Sequence, residues 1–314
     1  MIIIQLAGGL GNQMFQYALY LQLKSLGKDV KIDDVAGFVQ DEKRDPALNP
    51  FGIDYERASR KELVRMLDSS LMPWSRVRRK LFGRKKKSYF EEDKRYHPEI
   101  MKWDDIYLEG YWQTEKYFSA ISDEVRRVYD TDKLLEYIRS NSPEQAAVIM
   151  EGQLARISST ESVSVHIRRG DYLLPENQVL FGGICTEAYY QESMKLMKRE
   201  HPNCRFYVFT NDKKWVSDQI ANTTGIKNED VELINDIEVI ELEQQNDYAE
   251  FALMSKCKHQ IMANSSFSWW ASYLNRNPDK TVLAPDRWLN GWDCEDFYRS
   301  DMQRVTATKG TGNT

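Results

Sequence analysis

The chain has 314 residues, 41% of them hydrophobic and 29% charged, with a formal net charge of -5 at pH 7. This length accommodates two ordinary domains, and the balance excludes wholesale disorder. The negative charge gives no global reason to expect a nucleic-acid partner, so any polyanion site has to be local.

The opening "MIIIQL" reads as a short buried strand followed by the glycine turn "AGGLGN". It lacks the basic start and long apolar stretch of a signal peptide, and no apolar run approaches a membrane span. A cytoplasmic location is therefore expected. From Gln13 to about Leu26, the apolar residues Met14, Phe15, Tyr17, Ala18, Leu21 and Leu26 suit a helix packed on a sheet. Gly27 stops it and "DVKID" is the next strand, a β-α-β opening. The turn invites a dinucleotide fingerprint, with Asp33 or Asp34 near the distance for a ribose, but the third glycine position falls on Met14. No Gly-Lys-Ser/Thr follows, so it is not a P-loop. What remains is a backbone that a ligand can approach closely at Gly9 and Gly11, with the Asn12 amide beside it.

Between Arg76 and Lys87 the chain concentrates basic residues, read as an exposed helix or loop. A solvated face is one account of it. Peripheral contact with an anionic membrane, on the inner face of the plasma membrane, is the other. "YLEGYWQTEKYF" brings Tyr107, Tyr111, Trp112, Tyr117 and Phe118 close together, for core packing or for stacking on sugar faces. "DTD" at Asp130 to Asp132 is formally the DxD of metal-dependent sugar transferases, but it sits in a helical, charged segment rather than after a strand. The four histidines show no metal-ligand spacing, and Cys185, Cys204, Cys257 and Cys294 are dispersed free thiols.

From Glu161 the alternation is clean. Strands "SVSVHI", "RFYVFTND", "VELIND", "HQIMAN" and "KTVLAP" are separated by helices "TEAYYQESMKLMKRE", "KKWVSDQI", "DYAEFALMSKCK" and "SSFSWWASYLNRN". Repeated units of this kind imply a parallel sheet covered on both faces. The expected organisation is an N-terminal Rossmann-like domain over 1–150, a second over 151–305 and a disordered tail over 306–314.

Ligands of open parallel sheets sit beyond the carboxyl ends of the strands. Here those ends carry "GGLGN", "HIRRGD", "FTND" and "ANSSFS". In the last, Asn264 is the N-cap candidate, and Ser265, Ser266 and Phe267 supply backbone N–H groups to an anion. In "HIRRGD", strand alternation puts His166 and Arg168 on one face, and an arginine fork suits a phosphate. Arg169 then points away, where Asp171 is placed to hold it. Asp212 either accepts from a guanine ring or caps the helix that follows.

These four segments in this order resemble bacterial α-1,2-fucosyltransferases of glycosyltransferase family 11. The resemblance implies an α/β fold of GT-B type, two Rossmann-like domains facing a cleft. It also implies GDP-β-L-fucose as donor, inversion, no metal or other cofactor, and O2 of a galactose-terminated glycan as acceptor. Carried over, Arg168 binds the donor's β-phosphate, His166 and Asp212 contact the nucleoside, and Ser265 and Ser266 line the pyrophosphate. Asn12 and the glycine turn approach from the N-terminal half, and Asp171 is the candidate base. The alternatives are an NAD(P)-dependent oxidoreductase, which Met14 argues against, and a non-catalytic glycan-binding protein using the aromatic segment.

Overall fold

Ile2–Gln5 (β1) is three isoleucines and a glutamine, and the isoleucines are fully buried, as a strand inside a doubly covered parallel sheet must be. A computed structural model of the chain describes residues 1–39, 44–83, 85–216, 218, 231–233 and 243–306. The expected tail, from residue 307 on, lies outside the described residues, as do the parts of "KKWVSDQI" and "VELIND" beyond residues 218 and 233.

Two compact units divide the chain, one of Met1–Val128 with Glu295–Phe297, the other of Tyr129–Cys294 with Tyr298–Thr314. The first unit's helices are α1 (Leu10–Ser25), α2 (Arg60–Met66), α3 (Pro73–Phe82) and α4 (Ser122–Val128). Its strands β1, β2 (Val30–Asp33), β3 (Ser88–Phe90) and β4 (Ile106–Glu109) form one parallel sheet in the order β2-β1-β4-β3. The first helix starts at Leu10, three residues before its expected start, because Gly8 makes the turn at φ +74° and extended Gly9 is the N-cap. The aromatic segment is mostly core: Tyr107, Trp112, Tyr117 and Phe118 are buried, and only Tyr111 is exposed.

The second unit holds α5 (Thr131–Asn141), α6 (Glu144–Ser159), α7 (Pro175–Phe181), α8 (Glu187–Glu200), α9 (Lys213–Trp215), α10 (Glu243–Lys256) and α11 (Ser266–Leu274). Its strands are β5 (Ser162–Ile167), β6 (Arg205–Thr210), β7 (Val231–Leu233), β8 (His259–Ile261), β9 (Val282–Pro285) and β10 (Met302–Val305). They run parallel in the order β10-β9-β8-β5-β6-β7. Counted from β5 as the first strand, this is the 3-2-1-4-5-6 order of a Rossmann sheet, and the first unit is a smaller Rossmann-like parallel sheet opened by the β1-α1-β2 crossover. The order reverses between β5 and β8, which pair directly through Val163–His259 and Val165–Ile261.

The boundary lies at Val128, earlier than the expected 150. The reason is packing: α5 and α6 lie on α10, which puts residues 131–159 with the second sheet. The formal DxD is part of this arrangement. Asp130 caps α5 by accepting from Asp132 N at 2.9 Å, and Asp132 pairs with Lys256 at 2.6 Å. Strand β10 was not anticipated, because "MQRV" keeps three of its four side chains at least partly exposed and shows no apolar alternation.

Candidate active site

In a doubly wound sheet the ligand crevice opens where the strand order reverses, beyond the carboxyl ends. Here that means the residues after β5 and after β8, which are Arg168 to Tyr172 and Met262 to Ser266. The side chains tie these two loops together. Tyr172 donates to the carbonyl of Asn264 at 3.1 Å and stacks on Phe181 at 4.4 Å, while the Arg168 guanidinium lies 6.0 Å from the Tyr172 ring. The His166 and Phe267 rings are 5.6 Å apart, linking the end of β5 to the first turn of α11. The structure therefore sets the Arg168–Tyr172 pair, the His166–Phe267 ring pair and the loop before Ser265 around this reversal.

Two of the expected roles change. Ser265, not Asn264, caps α11, accepting from Phe267 N at 3.3 Å, with Ser266 the first helical residue. Asn264 is buried one step earlier, where its amide donates to Trp288 O at 3.1 Å and its Oδ1 accepts from Cys185 at 3.3 Å. It shapes the loop before the helix. All four cysteines are free thiols.

The second change concerns Arg169. It also engages Asp212, which the sequence does not pair with it: Nε donates to Oδ2 at 3.1 Å, and the guanidinium lies 4.3 Å over the Trp215 ring. Asp212 Oδ1 accepts from Trp215 N at 3.1 Å, capping α9. Both carboxylate oxygens are thus engaged, one by a cap and one by a clamp. The side chain of Asp171 lies outside the described residues. Gly170 is required by a close approach, since a Cβ there would meet Asn211 Nδ2 at 2.6 Å while Arg169 N donates to Asn211 Oδ1 at 2.9 Å.

Electrostatics separates the titratable groups. Burial, helped by the neighbouring Arg168 charge, lowers the His166 pKa from 6.5 to about 3. His166 is therefore a neutral ring at any ordinary pH, and among the described residues its buried Nδ1 has no hydrogen-bond partner. An unmet buried polar atom is costly unless something supplies a partner. Because the folded protein resists protonating this ring, stability should fall as pH drops from 6.5 toward 3. Thermal melts over that window should show a flatter dependence for His166→Gln than for the wild type. Parallel profiles would mean that His166 is not the group responsible.

Glu250 on α10 escaped the sequence reading. It keeps partial solvent access, yet burial followed by Asp247 pushes its carboxyl up to about 8, against the pull of Lys213 and Arg168. The available signal was faint: one carboxylate within the apolar stretch "YAEFALM". Gln13 and Gln16 were also missed. They stitch the glycine turn from beneath, Gln13 donating to Gly8 O at 2.8 Å and Gln16 Oε1 accepting from Ala7 N at 3.0 Å. Asn12 Oδ1 accepts from Gln113 at 2.6 Å, Gly9 caps α1, and Gly11 is buried in its first turn. Asp33 is locked by Tyr107 and by the Val35 and Ala36 amides, and Asp34 is held by Arg57 and Tyr55. Neither carboxylate is set up as a ribose ligand.

The fold does bring Glu161, His201 and His259 together, a grouping their spacing in the sequence does not show. It lies at the amino ends of β5 and β8, and both His259 nitrogens are engaged, by Glu161 at 2.8 Å and Thr281 N at 3.0 Å. It reads as a structural network.

Residues 1–301 match the family described as Glycosyl transferase family 11. The chain is 30% identical over 302 residues to the alpha-1,2-colitosyltransferase of Escherichia coli, covering 94% of this chain and 95% of that protein. The O-antigen biosynthesis glycosyltransferase WbnK of the same organism is 29% identical over 303 residues, covering 91% and 94%. Human galactoside alpha-(1,2)-fucosyltransferase 1 is 28% identical over 169 residues, 53% of this chain and 42% of that protein. Among solved structures, a mutant of Arabidopsis thaliana FUT1 in complex with GDP aligns with a TM-score of 0.46 at 12% identity, over 90% of this chain and 70% of that one. The family match runs from the glycine turn through the arginine loop to the capped helix start, and the chain belongs to glycosyl transferase family 11.

Proposed function

We propose that the chain transfers L-fucose from GDP-β-L-fucose to O2 of a terminal galactoside, with inversion and without a divalent metal. One observation carries the reading: Tyr172, whose ring lies beside the Arg168 guanidinium, donates to the Asn264 carbonyl next to the Ser265-capped start of α11, at the β5/β8 reversal. When the sugar–phosphate bond breaks, its electrons pass to the β-phosphate while the acceptor oxygen bonds C1 from the opposite face. The acceptor oxygen passes its proton to a base, for which Asp171 is the candidate, and from there to solvent. A fixed guanidinium and a helix N-terminus stabilise the charge that develops on the phosphate, which is the task a metal ion performs elsewhere. His166, neutral and with an unmet nitrogen, is suited to a nucleoside hydrogen bond. Asp212, held in place by Arg169 and the Trp215 amide with a lone pair to spare on each oxygen, is the carboxylate suited to accept from the guanine N1–H and amino group.

The identity of the sugar needs a direct comparison. Colitose is fucose lacking the 3-hydroxyl, so a colitosyltransferase relative and a fucosyltransferase relative imply donors differing by one oxygen. The test offers GDP-fucose and GDP-colitose separately, in EDTA, to a panel of β-galactosides, with linkage read by NMR. An α-1,2-fucosylated product in EDTA is expected. Transfer from GDP-colitose alone, transfer only from UDP- or ADP-sugars, or complete dependence on added metal would each overturn the corresponding part of the reading.

A further inference from the structure

From Ser69 to Phe90 the sequence carries eight lysines and arginines and no aspartate or glutamate. The first unit folds the centre of this stretch into the helix α3, Pro73–Phe82. A basic surface helix ordinarily turns its apolar residues inward, onto the sheet. Here they face outward: Trp74 and Leu81 are each 69% exposed, Val77 57% and Phe82 74%. Trp74, Val77 and Leu81 stand at i, i+3 and i+7, so they form one stripe along the helix. Arg76 and Lys80, at i and i+4, form an exposed basic row on a different face. Leu71 and Met72, 69% and 52% exposed, extend the apolar surface at the amino end.

The segment is fastened, so the outward stripe is not a frayed end. Asp68 pairs with Arg78 and accepts from Lys85 N at 2.9 Å, closing the helix and its exit onto one carboxylate. Beyond it, Lys87 N donates to Met66 O at 2.9 Å, Lys86 pairs with Glu109, and Lys87 pairs with Asp105. An exposed apolar surface of this kind marks an interaction site.

We propose that α3 is an interfacial anchor that docks the first unit on an anionic lipid bilayer. Large apolar side chains on one face and a basic row on another, with no acid within the helix itself, match the chemistry of an anionic leaflet, acyl region below and phosphate headgroups above. A second copy of the chain is a poor occupant, because two acid-free basic segments would face each other with like charge. No helix among the described residues is long and apolar enough to cross a membrane, so this contact would lie in the interface.

The test is flotation of the full chain with phosphatidylcholine vesicles, with and without phosphatidylglycerol, alongside sizing by light scattering. Binding to the anionic vesicles should be at least about tenfold stronger than to the neutral ones and should weaken sharply near about 0.5 M salt. The double variants Trp74→Ser with Leu81→Ser, and Arg76→Glu with Lys80→Glu, should each lose most of that binding. Both should keep wild-type melting and turnover on a soluble acceptor, since these side chains are exposed. No preference for anionic vesicles, or undiminished binding by the Trp74/Leu81 variant, would overturn the proposal. So would self-association abolished by that variant without lipid, which would make a second copy the occupant.

Discussion

Replacing Arg168 by alanine is expected to lower turnover with GDP-fucose by about 10²–10³-fold, the usual loss when one fixed donor to a developing charge is removed. The side chain is half-buried at the end of β5, beside the neutral His166, across from the Tyr172 ring and near Glu250. The core of β5 is Val163, Val165 and Ile167, which the substitution leaves alone. Melting should therefore change little while the rate collapses, and Arg168→Lys should recover only part of it, because a point charge replaces a fork. Arg169→Ala is the informative contrast. That guanidinium clamps Asp212 and covers Trp215, so its loss should lower the melting temperature and affect activity only through the loop. Near-normal turnover in Arg168→Ala would remove this residue from the chemistry.

Arg299→Ala is expected to cost about 3 kcal/mol of folding stability, at the lower end of what breaking a buried ion pair costs, because Asp301 is about a third exposed. Arg299 is 6% exposed and has more than one kind of partner. Its guanidinium donates to Trp269 O at 3.3 Å, Ser272 Oγ at 3.0 Å and Asp301 Oδ1 at 2.9 Å. It also lies 4.7 Å from the Trp269 ring and 5.7 Å from that of Tyr273. Burial alone would raise the Asp301 pKa, but Arg299 and Lys280 outweigh it and hold the carboxylate ionised. Chemical denaturation with two spectroscopic probes would measure the loss. Since the contacts to Trp269, Ser272 and Tyr273 brace α11, affinity for GDP at the proposed donor site should weaken along with stability. A change under about 1 kcal/mol would show that the network does not hold the helix.

Much of this was legible from local chemistry. Strand and helix periodicity located β5, β6, β8, β9 and the helices between them. The unusual residues at the strand ends marked the site, because a parallel sheet exposes those ends. What was not legible depended on distant partners. "RRGD" puts Asp171 nearest to Arg169 in sequence, but it gives no sign that parallel pairing of β5 with β6 also sets Asn211 and Asp212 beside the loop. Asn264 and Ser265 are both good caps by residue type, and the choice fell to Ser265 because Trp288 and Cys185 engage the asparagine. Residues 139–145 look like a linker in composition, but the helices on either side pack on α10, which follows in the sequence only after β5, β6 and β7 and the helices α7, α8 and α9. Glu250 gave no warning because its unusual proton affinity is made by burial.

That packing has a consequence for synthesis. α5 and α6 emerge from the ribosome well before α10, the helix they cover, and β5 emerges before β8, its neighbour at the reversal. Until residues 243–261 are made, the nascent second unit carries an uncovered helix pair and an open strand edge. Chains paused in that interval are the form most exposed to mispairing. Arg168 is already present then, but the capped helix start that completes the proposed donor site comes only when the last third of the chain arrives.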